Sequence, residues 1–433
     1  MRWALITSMC LFSIYNGLDP RVLAGQRLAY AMTFLFAALA ATATLHGRKL
    51  RGNDAKSVAL LVALCLVFLL PTLTQAFVYP HYVAGDLASL LMPVLFWVAM
   101  RGYPSLLRAS SFGALIAASA VAAMLAPNFA DVGGRYEPPT PFVIGSLWFG
   151  VFYARRRTSL LILVVLVPSV LWLAFASGFR SSALLVPIGA LVAVVLRRRT
   201  LRTAVVLAIG VLAVIPFVWN FAEATLWSTL QESRFRPLLF GEVDESMLTR
   251  FLESADALST VRSEWGPGNY LLGSGHGATY LPNLSLEARN LTAEGRIHNI
   301  HITPALILFR YGLLGAGVMV YGLVRLALGF QTVRNTPSSS QLASAYAIIV
   351  VLYVVDSSMR NNLVDPSFSF ALAALFTLAS AAHNSKAARV EQTARRRRRS
   401  LAYRRRIGLP APKVCRESPL QVQLDHLGSA SHT

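Results

Sequence analysis

Charge is scarce in this sequence, and acidic charge is scarcer still: 20 Asp and Glu stand among 433 residues, and all charged residues together make up 14%. Soluble domains carry about 25% charged residues, so this composition excludes a water-soluble globule. Cysteine is rare too. Cys10 and Cys65 lie in apolar segments and Cys415 near the end of the chain, which leaves neither a disulfide framework nor a zinc-ligand spacing. Phosphate-cradling loops are also missing. LLGSGHGATY at 271–280 alternates Gly273, Gly275 and Gly277, but no strand or βαβ unit surrounds it and no Lys-Ser/Thr follows. The sequence shows no internal half-repeat and few mid-span charges, features that mark many transporters.

What the chain has is apolar length. Hydrophobic residues make up 55% and fall in blocks near twenty long, enough to cross a hydrocarbon core as helices. The fold class this predicts is an all-α polytopic membrane protein of about twelve transmembrane helices. The expected spans lie near 3–18, 28–45, 57–78, 83–100, 107–126, 141–153, 159–176, 182–196, 203–221, 302–330, 342–358 and 367–382. The first has a single flanking Arg and no small-residue cleavage site, as an uncleaved anchor would.

The net charge of +20 raises nucleic acid as a partner, but its distribution speaks against that. Basic residues punctuate alternate connections: Arg48, Lys49, Arg51 and Lys56; Arg101 and Arg108; Arg155–Arg157; Arg197–Arg199 and Arg202; Arg395–Arg399. With twelve spans all five fall on one side, which the positive-inside rule makes cytoplasmic, together with both termini. The expected organisation is an N-terminal bundle over 1–221, a large loop over 222–301 on the opposite, periplasmic face, C-terminal spans over 302–382 and a basic tail over 383–433. The tail carries twelve Lys and Arg against three Asp and Glu, a composition that predicts disorder and attraction to anionic lipid.

Within the large loop, Met247, Leu248, Phe251, Leu252, Ala255 and Leu258 recur at helical spacing, with Arg250, Glu253 and Asp256 off that stripe. This predicts an amphipathic helix lying on the membrane surface or on the bundle. Ionisable residues beside apolar spans are expensive, and three sets stand out on the outer face. Arg180 sits in a short SGFRSS connection, where it either snorkels to lipid phosphates or holds an anion. Arg250 lies on the loop helix. His298 and His301, in IHNIH, stand at the entry to a long span that runs through Gly312 and Gly315. Histidine near neutral pH serves as a base or donor. With no Asp or Glu in the adjacent span, metal ligation lacks partners there.

Taken in order, these residues resemble the O-antigen ligase and O-antigen polymerase superfamily of bacterial envelope glycan assembly. Arg180 matches the family's arginine in an early outer connection, and Arg250 the one opening a helix in the large loop. Gly273 and Gly275 match its glycine turn, and Gly312 and Gly315 its closing G-x-x-G. The histidine is matched in two ways: the dipeptide His298-Asn299 fits by identity, and His301 fits by distance to the glycine pair. Arg310 stands where the family commonly has an acidic residue. The resemblance implies transfer of a glycan from a polyprenyl diphosphate donor to an acceptor hydroxyl, on the periplasmic face of a bacterial inner membrane. It casts Arg180, Arg250, Gly273, Gly275 and Asn299 as substrate contacts and His301 or His298 as the base. Arginine forks suit the diphosphate. Metal-dependent membrane oligosaccharyltransferases use paired acids in an early outer loop, and here the early outer connections offer only the isolated Asp19 and Asp86. Metal-independent transfer with inversion, and no cofactor, is therefore expected. A transporter or flippase, and a non-catalytic assembly component, are the alternatives.

Overall fold

Long apolar runs away from water can satisfy their backbone only as helices or closed barrels, and here they form helices. The computed structural model describes residues 1–15, 23–47, 69–74, 78–125, 139–153, 164, 166–170, 180–196, 245–264, 268–282, 295–334, 340–357 and 361–381. These include α1 (Arg2–Tyr15), α2 (Leu23–Gly47), α3 (Leu69–Thr74), α4 (Pro80–Gly102), α5 (Ala109–Leu125) and α6 (Thr140–Phe152). After them come α7 (Arg180–Leu196), α8 (Glu245–Glu264), α9 (Gly268–Leu272), α10 (Thr303–Arg334), α11 (Ser340–Asp356) and α12 (Pro366–Ala381). The expected spans near 159–176 and 203–221 and much of that near 57–78 lie mostly or wholly outside the described residues. So do the loop portion 222–244, the basic connections at 48–56, 155–157 and 197–202, and the tail beyond 381. The helices above fall almost wholly within one compact unit, 1–380.

Among the described residues, three helical stretches, Arg27–Gly47, Tyr82–Gly102 and Thr303–Arg325, are long and apolar enough to cross a membrane. Five shorter apolar helices accompany them: Ala109–Leu125, Thr140–Phe152, Leu185–Val194, Gln341–Asp356 and Pro366–Ala381. Large apolar side chains also face outward, as Leu28, Leu35 and Leu39 do on α2 and Leu313, Val320 and Val324 on α10. In water such faces would be costly; against lipid they are at home.

The inner faces interlock around aromatic rings. Phe112 meets Phe142, Phe149 and Tyr346 at centroid separations of 5.3–5.8 Å, and Phe96 meets Phe370 edge-on at 5.4 Å. Small residues let helices approach closely. A Cβ on Gly145 of α6 would come within 2.7 Å of Ile349 on α11, so that position admits no side chain without displacement. α1 packs on α2 and α5, α2 on α4, and α6 on α7 and α11, while α8 and α9 pack against α10.

α10 is two helices joined at a break. Gly312 has φ 58° and ψ −160°, a conformation open in practice to glycine alone. The pair Gly312/Gly315 therefore starts at a kink.

Candidate functional site

The glycine turn meets the protein's own backbone. Gly273, Gly275 and Gly277 all have positive φ, of 75°, 81° and 74°. A Cβ on Gly273 would run into the Arg310 backbone, one on Gly275 would lie 2.5 Å from the Thr72 amide, and one on Gly277 2.8 Å from the Tyr79 carbonyl. The turn thus wedges between α10 and the chain around α3 and the start of α4. Its amides are put to use there. Ser274 N donates to the Phe309 carbonyl at 2.7 Å and Gly275 N to the Arg310 carbonyl at 2.9 Å. These carbonyls lie just before the Gly312 break, where a helix end otherwise leaves acceptors unsatisfied. The Ser274 and Gly275 amides so cap a broken helix, and Gly273 lies against the Arg310 backbone.

A buried ion pair secures the same junction. Arg310 Nη1 donates to Asp86 Oδ1 at 2.5 Å, and Asp86 Oδ2 accepts from Gly277 N at 2.8 Å. The partner of Asp86 is thus a cation 224 residues away in the chain. His298 completes the cluster. Its Nδ1 lies 3.1 Å from the Ala278 carbonyl and so carries the proton, while Nε2 accepts from Arg310 Nη2 at 2.9 Å. The ring stacks on Tyr82 at 3.9 Å between centroids. Burial, reinforced by the Arg310 cation and opposed by Asp86, holds the His298 pKa below the usual histidine value. A neutral imidazole of this tautomer suits a structural junction. His276, fully buried beside Tyr311, is pushed by burial down to about 4, and neither ring nitrogen has a hydrogen-bond partner among the described residues.

His301 has different company. Its Nδ1 lies 2.5 Å from Glu253 Oε2, with both side chains buried. Nε2 faces the Asn299 amide at 3.5 Å, the outer limit of a hydrogen bond. Glu253 belongs to α8, one turn beyond Arg250, so the two share a helix face. The burial of α8 refines the expected amphipathic stripe. Phe251, Ala255 and Leu258 are exposed, whereas Glu253, Ser254, Asp256, Ala257 and Thr260 turn inward. The polar groups face in because their partners are there: His301 for Glu253, and the Leu281 amide, which donates to the Thr260 hydroxyl at 3.3 Å.

The structure therefore brings His301, Asn299 and the Arg250-bearing helix together and ties His298 into a separate ionic junction with Asp86. Arg250 is half-buried, and its carbonyl accepts from the Ser254 hydroxyl at 2.8 Å. Arg180 is the first residue of α7, and its side chain lies outside the described residues. Sequence reasoning missed Glu253, Arg310 and His276 as members of these clusters. One signal for Arg310 existed: Asp86 and Arg310, of opposite sign, each stand early in an apolar helix. Among the described residues, no three His, Cys, Asp or Glu side chains gather as a metal site would. No family model and no curated protein matches the chain.

Proposed function

We propose that the protein is a membrane glycosyltransferase of the O-antigen ligase or polymerase type. It moves a glycan from a polyprenyl diphosphate to an acceptor hydroxyl on the periplasmic face of a bacterial inner membrane. The observation that carries this reading is the meeting of His301, at the mouth of a helix able to cross a membrane, with the helix that bears Arg250. A base, through its contact with Glu253, then meets a helix that carries an anion-binding arginine one turn earlier, which suits attack on a lipid-bound diphosphate sugar. The parity of the five basic connections supports twelve spans with both termini cytoplasmic, and puts this junction on the outer side.

In this reaction the acceptor oxygen forms a bond to the anomeric carbon as its proton passes to His301 Nε2. The bond from that carbon to the diphosphate oxygen breaks, and the polyprenyl diphosphate leaves with the electron pair, inverting the configuration. Arg250 and Arg180 offset the charge of the leaving diphosphate through paired N–H donors. His301 supplies the general-base part, worth roughly 10²–10⁴-fold.

The test is transfer by the purified, reconstituted protein, given a lipid-linked glycan and a glycan or lipid-linked acceptor. His301→Ala should slow product formation by roughly 10²-fold or more while donor binding persists. Absence of transfer by the intact protein would discard the reading, and activity lost to EDTA and restored by a divalent ion would discard its metal-independent form. Cysteine labelling at Ser263→Cys and Ser400→Cys checks the topology, with the first expected to react from outside and the second from inside.

A further inference from the structure

We infer that Glu253 is a positioning residue for His301, fixing the ring's tautomer and offsetting the charge it acquires. The inference rests on the transferase reading for its chemistry, but its geometry stands apart from it. Glu253 Oε2 and His301 Nδ1 are 2.5 Å apart, and a carboxylate can only accept in such a contact. The imidazole proton is therefore held on Nδ1, and the lone pair is on Nε2. Without the carboxylate, nothing in this contact would keep the proton on that nitrogen.

The surroundings strengthen the effect. Ala257 and Val261, the next positions along the same face of α8, pack with Ile300, Ile302, Ala305 and Leu306 in a small apolar core around the pair. In such low-dielectric surroundings a fixed carboxylate acts on a neighbouring imidazolium far more strongly than in water. When the acceptor's proton arrives at Nε2, the ring becomes a cation with Glu253 already in contact, so no group must reorganise at that moment. Glu253 does not itself serve as the base, because its Oε2 is turned to the ring. Sequence spacing alone assigned it no such part, since it was one of three charged residues off an apolar stripe.

A purely structural pair, pinning α8 to the start of α10, would use the same contact, so the experiment must separate the two roles. In the reconstituted full chain, Glu253→Gln keeps the shape and removes the charge. The turnover number should fall on the order of 10²-fold or more, with KM for the donor changed by less than about threefold. Glu253→Asp should recover part of the loss. In a His301→Ala background, Glu253→Gln should cost nothing more, because groups acting as one unit are not additive. A further loss in that background, or a fall in turnover that merely tracks the folded fraction, would overturn the inference. The 15N shifts of His301 provide an arm independent of transfer. Protonation at Nδ1 in the intact protein, and a mixture of tautomers in Glu253→Gln, is expected; an unchanged tautomer would overturn the inference. A tautomer change between the intact protein and Glu253→Gln, with no glycan transfer by the intact protein, would sink the transferase reading and leave the Glu253–His301 coupling standing.

Discussion

Asp86→Asn probes the junction under the candidate site most directly. The substitution keeps the side chain's shape, and its remaining oxygen can still accept from the Gly277 amide, now met at 2.8 Å. What disappears is the charge facing Arg310, a residue only 4% exposed and one turn from the Gly312 break. Removing one partner of a buried pair costs about 3–5 kcal/mol, because the other charge is left uncompensated in low dielectric. With the backbone bond retained, the lower end of that range applies. Chains of 150–250 residues lose roughly 2–4 °C of midpoint per kcal/mol, and a larger chain loses less, so a fall of about 4 °C is expected. Fluorescence-detected thermal unfolding in a detergent micelle or nanodisc measures it, and limited proteolysis should show earlier cutting between residues 271 and 301. Asp86→Asn combined with Arg310→Met should regain much of the loss, since it removes both charges. A single variant melting within about 1 °C of the parent, or a double variant as poor as the two losses added, would refute the account of this ion pair as the lock on the loop.

Gly312→Ala should destabilise by about 2–4 kcal/mol, because φ 58° and ψ −160° strain any side chain and a Cβ would lie 2.5 Å from the Leu271 carbonyl. Gly317→Ala, where a Cβ meets nothing within 4 Å, is the control, and equal melting of the two would remove the break as a constraint. His298→Ala should lower stability by about 1–3 kcal/mol while leaving transfer per folded molecule within a few-fold, the reverse of His301→Ala; the opposite split would exchange their roles. Acidification should also destabilise. His276 is held to about 4 against an ordinary 6.5, so between those values the unfolded chain binds more protons and stability falls as pH falls. From pH 6.5 to 5 the His276 share is about 2 kcal/mol at 1.36 kcal/mol per unit, and His276→Phe should flatten the melting profile over that interval; an unchanged profile would show that His276 is not the group responsible.

Some of this was legible along the chain. Hydropathy is a local property that sums over neighbouring residues, so the apolar run expected at 83–100 emerges as α4 and the one at 28–45 within α2. Positive-φ glycines were marked by their alternation at 273, 275 and 277, since the turn chemistry resides in the residues themselves. The long span after His301 was likewise plain from composition, although its break at Gly312 was not: a G-x-x-G pair is common in straight helices, and only the incoming amides of Ser274 and Gly275 show where the helix opens.

The rest belongs to the tertiary structure. Periodicity on α8 separated two faces but could not say which turns inward. That was decided by His301, which satisfies Glu253 from another element, so that the polar face packs inward and Phe251 and Leu258 stay outside. Of two histidines three residues apart, the sequence favoured His298 by its dipeptide and His301 by its distance to the glycine pair. Packing separated them, giving His298 a cation and a carbonyl and His301 a carboxylate. The sequence by itself determined an apolar helical chain with its rare charges at helix ends and in one loop, because burial in lipid is counted residue by residue. Which of those charges meet is a relation between segments as far apart as Asp86 and Arg310, and only the folded chain, by closing that distance, could decide it.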